Sequence, residues 1–255
     1  MDSHQIIYAL LIALAGGILQ GTVAFGFGLF SVPLLLSVGF SMPMVLAISA
    51  ICTVIQSLSG VHHLRHVVPW KEVWLSVVLR GVTLLLGIWV VQVLVNYPVT
   101  SLKFWIGLVM LFMILLQATW QPKPRPKLHA GWNVAAFLVS GFTGGLCSMG
   151  GPPLVLWVMA HDWPVDRTRA FLFASFMSLV PLQLAILYWT FGHDVLRGMV
   201  LGLALSPAVL VGSLVGLRIG GRFSKLHLRQ VAFLVLLAIA LNSMYPQILR
   251  WVQAH

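Results

Sequence analysis

Ten apolar stretches, separated by short polar or proline-containing segments, run along the whole chain. They lie at about 6–20, 28–40, 44–61, 73–95, 101–118, 132–147, 152–160, 168–190, 196–217 and 228–250. A helix needs about 20 predominantly apolar residues to cross the hydrocarbon core of a bilayer. Stretches near that length recur from one end of the chain to the other, so the pattern predicts an all-α integral membrane protein.

The composition supports the same class. Of the 255 residues, 60 % are hydrophobic and 8 % are charged, and the mean hydropathy is +0.99. Soluble domains carry about 25 % charged residues, so this chain lacks the polar residues to cover a soluble core. The formal charge of +10 does not indicate nucleic-acid binding, because the basic residues lie in short loops between the apolar stretches.

Metal and disulfide chemistry are not indicated. Cys52 and Cys147 both lie inside apolar stretches, which is not the spacing of a disulfide framework or a metal site. The histidines within His62–His66 have no carboxylate or cysteine nearby, and they lie at the end of a predicted span. We interpret them as topology-setting residues, and we expect no cofactor and no metal.

The second half of the chain repeats the pattern of the first. A shift of 124 positions places Gly17 on Gly141, Gly21 on Gly145 and Gly26 on Gly150. Between the halves lies the proline-rich basic segment "WQPKPRPKLHAG", which is typical of a linker. The predicted organisation is a first repeat at 1–119, a cytoplasmic linker at 120–131 and a second repeat at 132–255.

In each repeat a glycine-rich break interrupts the first apolar region. The piece that follows the second break, 151–160, is only about 15 Å long as a helix, roughly half of a hydrocarbon core. Each pair of segments is therefore a re-entrant hairpin or two steep crossings, and both options return the chain to its starting side. Three more spans follow, so the two repeats are predicted to have inverted topology.

The basic residues are distributed unequally between the two sides of this layout. The side opposite the N-terminus holds eleven of them and the N-terminal side holds Lys103, Arg197 and Arg250; the eleven are Arg65, Lys71, Lys123, Arg125, Lys127, Arg167, Arg169, Arg218, Arg222, Lys225 and Arg229. Cytoplasmic loops are enriched in Lys and Arg. We therefore expect a protein of the inner (plasma) membrane with both termini in the periplasm.

The two breaks, Thr22–Pro33 and Gly144–Pro153, are the candidate binding site. Non-helical backbone at membrane depth must face protein or a wet cavity, because unpaired N–H and C=O groups are costly in lipid. Half-helix N-termini at such breaks favour anions. The acidic residues lie at span ends or in loops, whereas Arg80 falls inside a span. These features favour a small anion over a cation.

Two alternatives stay open at this point. Paired glycines also let helices pack closely without any ligand, and Arg80 is near enough to a span end for its side chain to extend to the cytoplasmic headgroups. On the third span of each repeat, polar positions share a helix face: Ser49, Thr53 and Gln56 in the first, and Ser175 and Ser178, with Gln183 further on, in the second. Serine and threonine side chains also join helices in lipid.

The duplicated motifs "GGILQGTVAFGFGLFSVPLLL" and "SGFTGGLCSMGGPPLVLWVM", with "GSLVGLRIGGRFS" later in the chain, resemble the sulfite exporter TauE/SafE family of membrane permeases. The resemblance covers nearly the whole chain. It implies a sulfur oxyanion or small organosulfonate as cargo, and it places binding loops at Thr22–Gly28 and Cys147–Pro152. The residues predicted to bind substrate are Thr22, Gly26, Phe27, Gly28, Thr53, Gln56, Arg80, Cys147, Ser148, Gly150, Gly151, Ser175 and Ser178.

The predicted function is a secondary transporter that exports sulfite or an organosulfonate such as sulfoacetate by alternating access. The alternatives are an anion channel, or a transporter for a different small anion such as thiosulfate or a carboxylate. The spans carry no His/Asp/Glu cluster at depth, so an enzyme is not expected. The expected partners are the small anionic substrate and the lipid bilayer, not nucleic acid, and a homodimer is an open option.

Overall fold

The structure, a computed structural model, describes residues 3–23, 26–120, 122, 124, 125, 128–220 and 225–253. These residues form ten α-helices, with a short 3-10 turn at Arg65–Val67. In chain order the helices are α1 (Ser3–Val23), α2 (Phe27–Val38), α3 (Met42–Leu64), α4 (Trp70–Leu94), α5 (Val99–Thr119), α6 (Ala130–Cys147), α7 (Gly151–Met159), α8 (Val165–Phe191), α9 (His193–Gly220) and α10 (Lys225–Gln253). Each predicted apolar stretch forms one helix, and the prediction of an all-α protein is confirmed.

Seven of the helices in the described part of the chain are long and apolar enough to cross a membrane: α1, α3, α4, α5, α6, α8 and α9. The helices after the two breaks are different, because α2 has 12 residues and α7 has 9. At 1.5 Å per residue they are about 18 and 14 Å long, too short to cross a hydrocarbon core of about 30 Å. Each hairpin thus joins a helix of spanning length to a short one.

The outer surface of the bundle is apolar. Trp189 exposes 93 % of its surface and Val78 on α4 exposes 63 %, among many other large apolar side chains. A soluble monomer rarely exposes contiguous apolar area of this extent, whereas lipid tails solvate it. Together with the seven spanning helices, this surface confirms the prediction of a multi-pass membrane protein.

Glycine and proline set the ends of the short helices. Gly26 before α2 has φ 104° and Gly39 after α2 has φ 102°, and both lie in the left-handed region that glycine adopts without steric cost. α7 begins with Gly151, Pro152 and Pro153. Proline is tolerated there because N–H groups in the first turn have no intrahelical partner.

Glycines allow close packing between helices of the two halves of the bundle. Gly17 and Gly21 on α1 are so close to the α9 backbone at Val209 and Ser213 that a β-carbon would overlap it. Gly141 and Gly145 on α6 lie in the same way against the α4 backbone, at Arg80 and Leu84. The long helix of each hairpin therefore packs against the fourth helix of the other half, α1 against α9 and α6 against α4.

Aromatic side chains fix the base of the second hairpin. The indole of Trp157 on α7 donates from Nε1 to Oδ1 of Asn133 on α6 (2.8 Å), and its ring packs against those of Phe137 and Phe171. These contacts join α6, α7 and α8 into one unit. They fix the position of the short helix α7 relative to α6 and α8.

Several predictions fall outside the described residues. These are the topology-setting residues Lys123, Lys127 and Arg222, the linker residues Gln121 and Pro126, and Ala24 and Phe25 of the first break. The last two residues of the predicted linker, Ala130 and Gly131, are helical and begin α6. The division into two inverted repeats stays a prediction.

Candidate functional site

The two helix breaks meet in the middle of the bundle. Gly28, in the first turn of α2, lies against the carbonyl oxygen of Ser148, in the turn between α6 and α7. A β-carbon at Gly28 would overlap that oxygen. The backbones of the two breaks are therefore in direct contact, although they are 120 residues apart in the chain.

A cavity of about 50 Å³ lies beside this contact. A water molecule needs roughly 10–15 Å³ of such volume, so the cavity has room for a few waters or a small ion. Both breaks line it, and so do side chains from α1, α3, α4 and α8. The predicted site residues that line it are Gly26, Phe27, Gly28, Thr53, Arg80, Ser148, Gly150 and Gly151.

The N-terminus of α2 provides hydrogen-bond donors at the cavity. The first intrahelical bond of α2 runs from the N–H of Phe30 to the carbonyl of Gly26 (3.0 Å), so the N–H groups of Phe27, Gly28 and Leu29 precede the helical ladder. All three residues line the cavity. Helix N-termini carry a partial positive charge that favours an anion.

The N-terminus of α7 makes a smaller contribution of the same kind. Its first residue, Gly151, has an N–H, but Pro152 and Pro153 have none. The ring of Pro152 lines the cavity next to Gly151. The two helix N-termini are thus chemically unequal, because α2 has several free donors and α7 begins with one.

Arg80 on α4 is a buried cation at the cavity, with 2 % of its surface exposed. Its Nη1 donates to the backbone carbonyl of Ser175 on α8 (3.2 Å), and its Cζ lies 5.4 Å from the ring centre of Phe176. Its Nε has no hydrogen-bond partner among the described residues. Because the guanidinium is buried beside the cavity, it is not extended to the headgroups, which was the alternative left open by the sequence.

Gly150 allows the guanidinium to lie against the second break. A β-carbon at Gly150 would be 3.1 Å from Nη2 of Arg80 and 2.7 Å from the backbone oxygen of Ser140. The carbonyl of Gly150 accepts a short hydrogen bond from the Ser140 hydroxyl (2.6 Å). The break is therefore held by α6 on one side and contacts Arg80 on the other.

The turn at Ser148 has a backbone conformation that is rare for a residue with a side chain. Ser148 has a φ of 55°, and among the described non-glycine residues it is the one whose φ is positive. Gln183 on α8 supports this turn, because its Nε2 lies 3.4 Å from both the carbonyl of Gly144 and the hydroxyl of Ser148. Strained backbone of this kind is common at functional sites.

Five predicted site residues do not line the cavity: Thr22, Gln56, Cys147, Ser175 and Ser178. The hydroxyl of Thr22 donates to the carbonyl of Leu19 within α1 (2.7 Å). The buried thiol of Cys147 donates to Thr143 within α6 (3.4 Å). Ser175 contributes to the site through its backbone carbonyl, which holds Arg80.

Other residues line the cavity although the sequence did not single them out as ligands. Gln20 on α1 lines the cavity and is 4 % exposed. Because it is a polar residue next to Gly21 inside an apolar span, the sequence could have identified it as a candidate binding residue. Met149 and Phe176 are apolar, so their residue type does not mark them as binding residues. Ser49 and Gln183, which belong to the predicted polar helix faces, also line the cavity.

A multi-pass bundle with two helix breaks that meet at a cavity lined by a buried arginine has the architecture of a membrane transport protein. The family model described as "Sulfite exporter TauE/SafE" matches residues 9–243. The chain therefore belongs to the sulfite exporter TauE/SafE family, as its motifs predicted. It is a transporter and not an enzyme.

A curated relative supports this assignment. The chain is 26 % identical to the "Probable sulfite/organosulfonate exporter TauE" of Cupriavidus necator over 243 residues, which is 93 % of each protein. No solved structure matches the chain.

Proposed function

We propose that this protein exports sulfite or a small organosulfonate, such as sulfoacetate, across the inner membrane by alternating access at the cavity between the two breaks. The observation that carries the proposal is the buried guanidinium of Arg80, which lines the same cavity as the N-terminus of α2. A buried cation is stable when a counter-ion or hydrogen-bond acceptors compensate it. A small anion in the cavity provides that compensation.

We infer that the substrate contains sulfur from the family and from the name of the relative. The positive charge of Arg80 and the donors of α2 favour an anion, but they do not select sulfur over carbon. Thiosulfate and small carboxylates therefore serve as competing ligands in the test below. A zwitterion such as taurine should bind less well, because its ammonium group would lie near Arg80.

The packing of the hairpins supports the inverted arrangement that alternating access requires. Gly21 contacts Ser213, and its counterpart at a shift of 124, Gly145, contacts Leu84. Gly87 and Gly212, which a shift of 125 pairs, both lie against the long helix of the other half's hairpin, Gly87 at Phe142 and Gly212 at Leu14. Two halves whose helices pair in the same way can rock about the shared site and open it to one side at a time.

The membrane potential supplies a driving force for export. An inside-negative potential of 100 mV favours the exit of each negative charge by about 2.3 kcal/mol. The protein would thus move a monoanion outward without a coupled cation. The buried carboxylates that proton relays use are not among the residues lining the cavity.

A thermal-shift screen of the purified protein tests the proposed function. The ligands are sulfite, sulfoacetate, thiosulfate, taurine and a carboxylate analogue of sulfoacetate. We expect sulfite or sulfoacetate to raise the melting temperature in a saturable way, and we expect Arg80→Gln to abolish the shift. Arg197→Gln is the matched control, because Arg197 is an exposed arginine on α9 away from the cavity.

Two results would contradict the proposal. Equal stabilisation by taurine and by the anions would show that charge does not determine binding. Export from proteoliposomes that does not saturate with sulfite or sulfoacetate would indicate an anion channel in place of a transporter.

A further inference from the structure

The charge of Arg80 is not neutralised by any acidic residue in the described part of the protein. Glu72 lies eight residues earlier on α4, about 12 Å away along the helix, and its carboxylate is 3.7 Å from Arg167. Asp194 accepts a hydrogen bond from Ser41 at the start of α9 (3.0 Å). Asp162 and Asp166 lie between α7 and α8 and in the first turn of α8.

The groups that do contact Arg80 hold its position without cancelling its charge. They are the carbonyl of Ser175 and the ring of Phe176, both on α8. A carbonyl and an aromatic face are dipolar or quadrupolar partners, and neither carries a formal negative charge. The empty site therefore holds a net positive charge at the centre of the bundle.

We propose that the protein is an anion exchanger, in which an anion entering from the other side must replace the exported one for fast turnover. This inference rests on the proposed function, because it assumes alternating access at the same cavity. The returning anion would be a small monoanion, either inorganic or organic, that fits the site of the exported substrate. Exchange of one monoanion for another moves no net charge, so the membrane potential drives only the slower cycle in which the site returns empty.

The physical reason is the difference between the loaded and the empty site during the change of access. Every alternating-access cycle passes through a state in which the cavity is closed to both sides. With a monoanion such as hydrogensulfite bound, the closed site is neutral, and with a dianion bound the charge of Arg80 is still compensated. Without it, the guanidinium must be enclosed with only the few waters that the cavity admits, and enclosing an uncompensated charge is strongly unfavourable. The change of access with an empty site is therefore the slow step of the cycle. An anion that binds from the other side allows the site to return loaded, so that the slow step is avoided.

Efflux from proteoliposomes tests the exchange. Vesicles are loaded with radiolabelled sulfite, and valinomycin with equal potassium on both sides clamps the potential at zero, so that charge accumulation cannot limit the flux. We expect slow efflux into a medium whose sole anion is gluconate, which is too bulky for the cavity, and an acceleration of at least about tenfold when unlabelled sulfite is added outside. Equal efflux rates in the two media would overturn the proposal.

A pair of variants at Thr53 tests whether the charge of Arg80 is the cause. Thr53 on α3 lines the same cavity, and Thr53→Asp places a carboxylate there as an internal counter-ion. We expect Thr53→Asp to reduce the acceleration by external sulfite to about twofold or less. Thr53→Asn, which has the same shape without the charge, should keep the acceleration, and identical ratios for the two variants would refute the charge mechanism.

The outcomes separate this inference from the proposed function. Saturable sulfite efflux without acceleration by external sulfite would leave the transporter proposal intact and refute the exchange. The absence of any protein-dependent efflux of sulfite and sulfoacetate would refute both.

Discussion

Gly28 and the carbonyl oxygen of Ser148 are in van der Waals contact at the centre of the protein, where the two helix breaks meet. No side chain separates the two backbones at this point. The contact joins the first hairpin directly to the second, so a movement of one break is transmitted to the other. It also forms one wall of the cavity.

A methyl group at this contact should separate the hairpins. We expect Gly28→Ala to lower the free energy of unfolding by about 1–3 kcal/mol, because its β-carbon overlaps backbone that cannot rotate away. Gly144→Ala is the matched control, since its β-carbon would be 3.8 Å from the nearest atom of the neighbouring turn. Thermal unfolding of both variants measures the difference, and equal melting temperatures would show that the hairpins are not held at this distance.

Removal of the buried charge should stabilise the empty protein. Arg80 is buried without a carboxylate partner among the described residues, and replacing an uncompensated buried cation by a neutral residue removes its desolvation penalty. We expect Arg80→Gln to raise the melting temperature in the absence of anions. Arg80→Lys, which keeps the charge, should not do so. A large loss of stability in Arg80→Gln would mean that the hydrogen bond to Ser175 outweighs the charge.

The second break should tolerate only a glycine at position 150. In Gly150→Ala the new methyl group would be 2.7 Å from the backbone oxygen of Ser140 and 3.1 Å from Nη2 of Arg80, so both the break and the guanidinium must shift. We expect sulfite binding to weaken by about tenfold, because hydrogen bonds to a charged group depend strongly on distance and angle. Titration of the melting temperature with sulfite measures the change. Unchanged affinity would show that the anion does not contact Arg80.

The backbone conformation at Ser148 should determine which residue types this position tolerates. Its φ of 55° is in the left-handed region, which costs a residue with a β-carbon roughly 1–2 kcal/mol. Ser148→Gly should therefore be at least as stable as the wild type, whereas Ser148→Val should unfold at a lower temperature because a β-branched side chain is worst in this region. If both variants lost stability equally, the hydrogen bond from Gln183 would contribute more to the stability of the turn than the backbone conformation does.

Cysteine labelling tests the predicted orientation. Asn96 lies between α4 and α5 and Asp162 between α7 and α8, and both are exposed. In a variant without Cys52 and Cys147, we expect Asn96→Cys to react with a membrane-impermeant maleimide in intact cells with a permeable outer membrane. Asp162→Cys should react only after the inner membrane is opened. Labelling of both positions from the same side would refute the inverted topology.

The sequence predicted the helices well because their signals are local. Apolar length indicates each span, and glycine and proline mark each break, so every predicted stretch corresponds to one helix. Arg80 was also identified from the sequence, since it is a charge inside a span. These features depend on a few neighbouring residues and not on how the helices are arranged.

The lining of the cavity was predicted only in part, because it depends on rotation about the helix axes. Thr22 and Cys147 lie at the breaks, as expected, but their side chains bond to carbonyls in their own helices. Gln20 and Phe176 reach the cavity from spans of different halves. Their approach depends on packing between distant segments, which a single sequence does not show.

The two prolines at the start of α7 give the cavity two unlike walls. Amide protons from Phe27, Gly28 and Leu29 precede the helical ladder on one wall, whereas ring carbons of Pro152 form part of the other. A guest with an oxygen-rich head and a carbon tail can satisfy both walls at once, but only in one orientation. We therefore expect an organosulfonate to bind in one preferred orientation, with its oxygen-rich head towards the amide protons of the first hairpin and its carbon part towards Pro152.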